Sequence, residues 1–103
     1  MSRIPAFRTY TFTNEEAAQK FSKCWKNIAT SLRENHDVST TSVFLSRRNP
    51  KQVHALVKYP VGGNPEQVMH GYVTSETLKQ DTAGLDPKTF VDKDEIVMEE
   101  VDM

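Results

Sequence analysis

The sequence predicts an α+β fold in which strands and helices follow one another in the order β-α-β-β-α-β. Three observations lead to this prediction. An aromatic, threonine-rich segment is followed by a long segment whose apolar residues recur every three or four positions. Two β-branched segments are then separated by a short polar turn, as in an antiparallel hairpin. A second helical segment and a final strand-like segment complete the chain.

The first strand is predicted over Ala6–Phe12, because aromatic and β-branched residues at this density suit a pleated surface. Thr13 and Glu16 match the capping-box pattern that starts a helix. We expect this helix to end near Asn35–Asp37, where short polar residues favour a chain reversal. Its apolar stripe has helical spacing and comprises Ala17, Ala18, Phe21, Cys24, Trp25, Ile28 and Leu32.

A hairpin is predicted next, with strands over Ser39–Ser46 and Gln52–Tyr59 joined by the polar turn Arg47–Lys51. Alternation along the second of these strands separates two faces. One face carries Val53, Ala55, Val57 and Tyr59, and the other carries His54, Leu56 and Lys58.

The second helix is predicted to start with Asn64 as N-cap and Pro65 at its first position. Gly71 weakens it, so a separate helical turn is expected from Ser75, and Gly84 is a plausible C-cap. The last strand is predicted over Asp94–Val101. The predicted apolar positions of the second helix are Val68, Met69, Tyr72 and Val73.

This order predicts a ferredoxin-like fold, with a four-stranded antiparallel sheet and two helices on one face. The opposite face of the sheet is then bare. A bare sheet face on a small domain is most simply covered by a second copy of the chain, so we expect a homodimer.

Composition narrows the classes of function. The chain has 103 residues, which fits one domain over residues 1–103. Its net charge of −1 gives no broad attraction to nucleic acid, and no segment is apolar enough for a membrane span. The single cysteine, Cys24, excludes an intrachain disulfide. We therefore expect a cytoplasmic protein with neither nucleic acid nor membrane as a partner.

The chain resembles the dimeric α/β-barrel superfamily, which includes the antibiotic-biosynthesis monooxygenases and the stress-responsive A/B-barrel proteins. The element order carries the resemblance. Three segments add to it: Phe21–Trp25 in the first helix, the hairpin turn Arg47–Pro50, and Ser75–Lys79 before the last strand. The resemblance implies subunits that pair sheet to sheet, each with a cleft between helices and sheet.

Within that superfamily, the resemblance implies two kinds of chemistry. Monooxygenase members use a cleft lined by Asn, Trp and His, and haem-degrading relatives ligate iron through a histidine on the second helix. Trp25 and His70 are the counterparts in this chain. On the first strand, Thr9, Tyr10 and Thr11 stand where an asparagine would be expected.

Five residues are candidates for a functional site. Trp25, Met69 and Tyr72 are candidate ligand-binding residues, although large apolar residues at helical spacing also serve as plain core. His70 and His54 are candidate catalytic groups, because a histidine exchanges protons near neutral pH. We expect His70 to flank the apolar helix face, partly buried and facing the cleft. The three histidines lack metal-ligand spacing, so no metal site is predicted.

The sequence thus predicts a homodimer that binds a small, partly apolar molecule in a helix–sheet cleft. Two alternatives remain open: a cofactor-independent monooxygenase-like enzyme, and a structural or regulatory interaction domain without a ligand. No motif decides whether the protein is an enzyme, and no cofactor is indicated.

Overall fold

The computed structural model describes residues 3–62, 64–73, 76–99 and 101. Within these residues, four strands, three α-helices and one short 3-10 turn form the fold. They are β1 Ile4–Phe12, α1 Glu15–His36, β2 Ser39–Leu45, β3 Gln52–Tyr59, α2 Pro65–Val73, α3 Glu76–Asp81, the 3-10 turn Pro87–Thr89, and β4 Phe90–Val97.

The strands form one antiparallel sheet in the order β2-β3-β1-β4. The two central strands, β1 and β3, pair along almost their whole length, from Ile4 opposite Tyr59 to Thr11 opposite Gln52. This confirms the predicted α+β class, the antiparallel sheet and the ferredoxin-like element order.

Alternation on β1 and β3 decides which side chains face the helices. The sequence left open which face of β3 is the inner one. The buried face is the one that carries Val53, Ala55, Val57 and Tyr59, whereas His54, Leu56 and Lys58 lie on the open face. On β1 the inner residues are Ala6, Arg8, Tyr10 and Phe12. The core therefore lies between this sheet face and α1, and it includes one arginine.

Helix α1 begins one residue later than predicted. Asn14 is the N-cap, because its backbone is extended and its Oδ1 accepts from the Ala17 amide at 2.8 Å. The predicted cap, Thr13, instead has its amide bonded to the carbonyl of Thr89. Asp37, with φ of 56°, ends the helix in the left-handed conformation at the predicted reversal.

The predicted second helix is two helices, α2 and α3. Asn64 caps α2 as predicted, since its Oδ1 accepts from the Glu66 amide at 3.0 Å. The separate helical segment begins at Glu76. The predicted start, Ser75, and the side chain of Val73 lie outside the described residues.

The last strand was predicted four residues too late. It spans Phe90–Val97 rather than Asp94–Val101. The reason is its pairing with β1, which runs from Phe12 opposite Phe90 to Ala6 opposite Val97. Phe90 pairs with Phe12, and their rings lie 5.8 Å apart. Among the described residues, no helix is long and apolar enough to cross a membrane.

Candidate functional site: an aromatic cavity between the helices and the sheet

A cavity of about 800 Å³ lies between the inner face of the sheet, α1 and the α2–α3 region. Strand residues from β1 and β4 form one wall, and residues of the helices and of the segment between α3 and β4 form the others. Its aromatic lining comprises Tyr10, Phe12, Phe21, Trp25, Tyr72 and Phe90.

The aromatic wall forms where the inward-facing residues of β1 pack against the apolar stripe of α1. Tyr10 is an inward residue of β1, and Phe21 and Trp25 are one turn apart on α1. The Tyr10 ring centroid lies 4.7 Å from that of Phe21 and 5.6 Å from that of Trp25. Trp25 is 3% exposed, and its Nε1 donates to Thr40 Oγ1 at 3.2 Å. The indole is therefore held in one orientation.

The α2–α3 region closes the other side. Met69 and Tyr72 line the cavity from α2, and Leu78 lines it from α3. The Tyr72 hydroxyl donates to Asp81 Oδ2 at 2.8 Å, which ties the two helices together. Burial, and then this hydrogen bond, raise the pKa of Tyr72 above its usual value, so its phenol stays neutral.

Beside the cavity lies a buried polar cluster centred on Arg8, whose side chain is 1% exposed. Arg8 Nε donates to Glu95 Oε2 at 2.6 Å, and NH2 donates to the Tyr59 hydroxyl at 2.5 Å. NH1 donates to the Tyr10 hydroxyl at 3.2 Å, and the Met69 sulfur also contacts the guanidinium. Tyr10 and Met69 therefore belong to both the cluster and the cavity wall.

The cluster holds one buried charge pair among neutral phenols. Burial raises the pKa of Tyr59 and of Tyr10, although the Arg8 charge opposes the rise. The Tyr59 hydroxyl donates to the same Glu95 oxygen at 2.5 Å. Arg8 keeps its charge, because these partners outweigh the lowering of its pKa by burial.

Charged side chains line the cavity at only two described positions, and both are lysines. Lys93 lies on β4 directly opposite Tyr10, and Lys79 lies on α3. The Lys79 ammonium is 3.5 Å from Glu76 Oε1, in a pair that is mostly exposed. The remaining lining is predominantly apolar.

The structure brings three of the five candidate residues together. Trp25, Met69 and Tyr72 all line the cavity. His70 does not line it and is exposed rather than partly buried, because it follows Met69 by about 100° around α2. The expectation that His70 is partly buried and faces the cleft is therefore wrong.

His54 lies on the opposite side of the sheet from the cavity. Its Nδ1 is 3.0 Å from Thr9 Oγ1, and its ring stacks on Phe7 with centroids 5.2 Å apart. Both partners are open-face residues of β1. A catalytic role for either histidine remains a prediction, and neither is placed in the cavity lining.

Metal-ligating side chains are not clustered in the part of the chain that the structure describes. In residues 3–62, 64–73, 76–99 and 101, no group of three His, Cys, Asp or Glu side chains is placed to hold a metal ion. The histidine on the second helix, His70, does not face the cavity. The histidine that the resemblance relates to iron ligation therefore lies outside the cavity in this chain.

Sequence reasoning missed Arg8, Glu95 and Lys93. The signal for Arg8 was present, because the alternation Ala6, Arg8, Tyr10, Phe12 puts a charged residue on an otherwise apolar face. Lys93 lay outside the predicted strand, because the predicted start of β4 was four residues too late. Glu95 lay inside it, but its position opposite Arg8 depends on the pairing of β4 with β1.

Comparisons with known proteins identify similar folds. No protein-family model matches the sequence, and no curated protein is significantly similar to it. A protein from Deinococcus radiodurans provisionally assigned to the antibiotic biosynthesis monooxygenases shares 15% identity, with a TM-score of 0.63 over 97% of this chain and 94% of that one. A Caulobacter crescentus protein with the same assignment shares 12% identity, with a TM-score of 0.63 over 98% and 92%.

A third solved structure carries a different name. It is an uncharacterised NIPSNAP-like domain protein from Burkholderia xenovorans, with 9% identity and a TM-score of 0.68 over 98% of this chain and 88% of that one. At such low identities the similarity extends to the fold, and function must be argued from the site itself. The chain thus has the ferredoxin-like fold shared by these monooxygenase-like and NIPSNAP-like proteins.

Proposed function

We propose that this protein is a homodimer that binds a small, partly apolar molecule in the aromatic cavity. The observation that carries the proposal is the cavity of about 800 Å³ with its six aromatic side chains. A volume of this size falls within the usual range of small-molecule sites, roughly 300–1,000 Å³.

The cavity walls suit an aromatic or aliphatic ring system. Trp25 and Tyr10 are held by hydrogen bonds to Thr40 and Arg8, so little side-chain entropy is lost when a ligand contacts them. Met69 adds a flexible, polarisable surface that adapts to ligand shape. These features favour burial of a flat apolar body with few polar contacts.

The test uses the neutral dye N-phenyl-naphthylamine, which fluoresces when it leaves water. The chain has one tryptophan, so energy transfer from Trp25 reports dye bound near it. Ala83 lies at the exposed edge of the lining, and Ala83→Phe would fill that edge. Thr30→Phe adds the same side chain at an exposed position of α1 away from the cavity.

We expect saturable dye binding that Ala83→Phe weakens and Thr30→Phe leaves unchanged. Equal binding to both variants would place the dye elsewhere. Absence of any saturable binding would contradict the ligand-binding proposal and favour the interaction domain without a ligand.

The homodimer part of the proposal rests on the open sheet face. Phe7 on β1 pairs with Leu56 on β3 and with Ile96 on β4. Phe44 on β2 pairs with His54, which lies two residues before Leu56 on β3. Phe44 is 50% exposed and Ile96 is 56% exposed. An apolar row across β3, β1 and β4, with Phe44 of β2 diagonal to it, favours sheet-to-sheet pairing of two copies.

Sedimentation at micromolar concentration tests the dimer. Ile96→Glu places a charge on the open face, whereas Val61→Glu changes a similarly exposed apolar residue in the loop before α2. We expect the first variant alone to shift the protein toward monomer. A monomeric unmodified protein, or equal behaviour of the two variants, would contradict pairing through this face.

A cofactor-independent oxygenase is the second candidate, and the aromatic cavity together with the monooxygenase names of similar folds favours it. His70, next to Met69 on α2, and His54 are its candidate proton-transfer groups. Oxygen uptake with a naphthohydroquinone, above the uncatalysed rate, tests it from about pH 5 to about pH 8. Loss of the pH dependence of oxygen uptake in His70→Gln alone would support His70 as the proton-transfer group. A profile unchanged in His70→Gln and His54→Gln would exclude both.

A further inference from the structure

The charged side chains that line the cavity at described positions are of one sign. Lys93 and Lys79 line it, and no carboxylate does so among the described residues. The rest of the described lining is aromatic, apolar or neutral, so these two ammonium groups are its formal charges. An organic cation would be repelled there even though aromatic walls can attract cations.

Lys93 is the better placed of the two lysines. It lies opposite Tyr10 on the inner face of the sheet, so the stem of its side chain starts beside the aromatic wall. Its ammonium forms no ion pair with any residue the structure describes. Lys79, by contrast, is already near Glu76 at 3.5 Å.

Neighbouring carboxylates do not cancel the Lys93 charge. Asp92 and Asp94 pair with Thr11 and Thr9, which are open-face residues, and so belong to the other side of β4. Glu95 shares the inner face with Lys93, but its Oε2 is occupied by Arg8 at 2.6 Å. That carboxylate is therefore already neutralised within the buried cluster.

We propose that the cavity takes an amphipathic organic anion, with a flat aromatic body against Trp25 and Tyr10 and a carboxylate-like or sulfonate-like head group at Lys93. This inference rests on the proposed ligand-binding function and specifies the class of ligand. Lys79 supplies a second, weaker positive charge on the α3 side of the cavity.

The experiment compares two dyes with the same aromatic body. Anilinonaphthalenesulfonate carries one sulfonate, and N-phenyl-naphthylamine lacks it. Binding of both is measured to the unmodified chain and to Lys93→Met, Lys93→Arg and the control Lys88→Met, an exposed lysine outside the lining. Salt is varied from about 20 to about 500 mM, because screening weakens exposed charge pairs.

Lys93→Met should weaken sulfonate-dye binding about threefold to tenfold, as expected for one charge-assisted contact at an exposed position. Neutral-dye binding should change less than about twofold, and Lys93→Arg should retain most of the affinity for the anion. Salt should weaken only the sulfonate dye. Circular dichroism shows separately that each variant remains folded.

Two outcomes would overturn the inference while leaving the proposed function intact. One is sulfonate-dye binding that Lys93→Met and salt do not change, and the other is equal loss of both dyes in Lys93→Met. Failure of the proposed function looks different, because then neither dye would respond to Ala83→Phe.

Discussion

Replacing Arg8 by methionine should destabilise the protein strongly. Arg8 is a buried cation with three hydrogen-bond partners, Glu95, Tyr59 and Tyr10. Methionine has a similar length but no charge or donor. The substitution leaves the Glu95 carboxylate, only 18% exposed, with the Tyr59 hydroxyl as its remaining donor in the cluster.

The magnitude follows from the burial of the pair. Removing one partner of a buried ion pair typically costs about 3–5 kcal/mol, because the other charge remains buried without compensation. A domain of this size is stable by about 5–15 kcal/mol in total. Arg8→Met should therefore lower the free energy of unfolding by a large fraction, about 3–5 kcal/mol.

Glu95→Gln perturbs the same pair more gently, since the amide oxygen still accepts from Arg8 and Glu95 is less buried. We expect a loss of about 2–3 kcal/mol from this change. The double variant should lose less than the sum of the single losses by about 1–3 kcal/mol, because the second change relieves an unpaired charge left by the first.

Urea unfolding followed by Trp25 fluorescence measures all three variants, because the chain has one tryptophan. Arg33→Met is the matched control, since Arg33 is an exposed residue of α1, and its change should stay within about 0.5 kcal/mol. An Arg8→Met loss no larger than that of the control would refute the reasoning. Strict additivity of Arg8→Met and Glu95→Gln would also refute it.

Three further predictions concern the core, the titration of a buried phenol and a helix cap. Trp25→Ala should lower the free energy of unfolding, measured by circular dichroism, by about 3–5 kcal/mol and should affect dye binding less. A stable Trp25→Ala variant that selectively lost dye binding would contradict this prediction. Above about pH 10 the unfolded chain releases the Tyr72 proton while the folded chain, with its raised pKa, retains it, so stability should fall as pH rises. Below that pH the contribution of Tyr72 to folding stability is fully present. Tyr72→Phe should make the loss of stability at alkaline pH less steep. An unchanged dependence of stability on pH in this variant would refute the assignment to Tyr72. Asn14→Ala should cost about 1 kcal/mol through loss of the α1 cap, whereas Thr13→Ala should cost less, and the reverse order in thermal unfolding would contradict the observed cap.

The sequence by itself determined the elements whose signals are local. Apolar residues at helical spacing located α1, and strict alternation located β3 and assigned Val53 and His54 to opposite faces. The short polar turn made β2 and β3 a hairpin. Element order and the antiparallel sheet then followed, because few chain topologies accommodate these pieces.

The candidate site was only partly determined by the sequence. Trp25, Met69 and Tyr72 each lie on an apolar helix face, and such a face must pack against something. The sequence does not state whether the packing is complete or leaves a cavity. His70 is one residue from Met69, and a difference of about 100° around the helix separates cavity from solvent.

Only the tertiary structure decided the register of β4, and with it the chemistry of the cavity. The acidic and apolar residues near the end of the chain support more than one strand start, and pairing with β1 selects Phe90. That register places Glu95 opposite Arg8 and Lys93 opposite Tyr10. Contacts between residues more than eighty positions apart depend on the whole sheet, so no local pattern in the sequence encodes them.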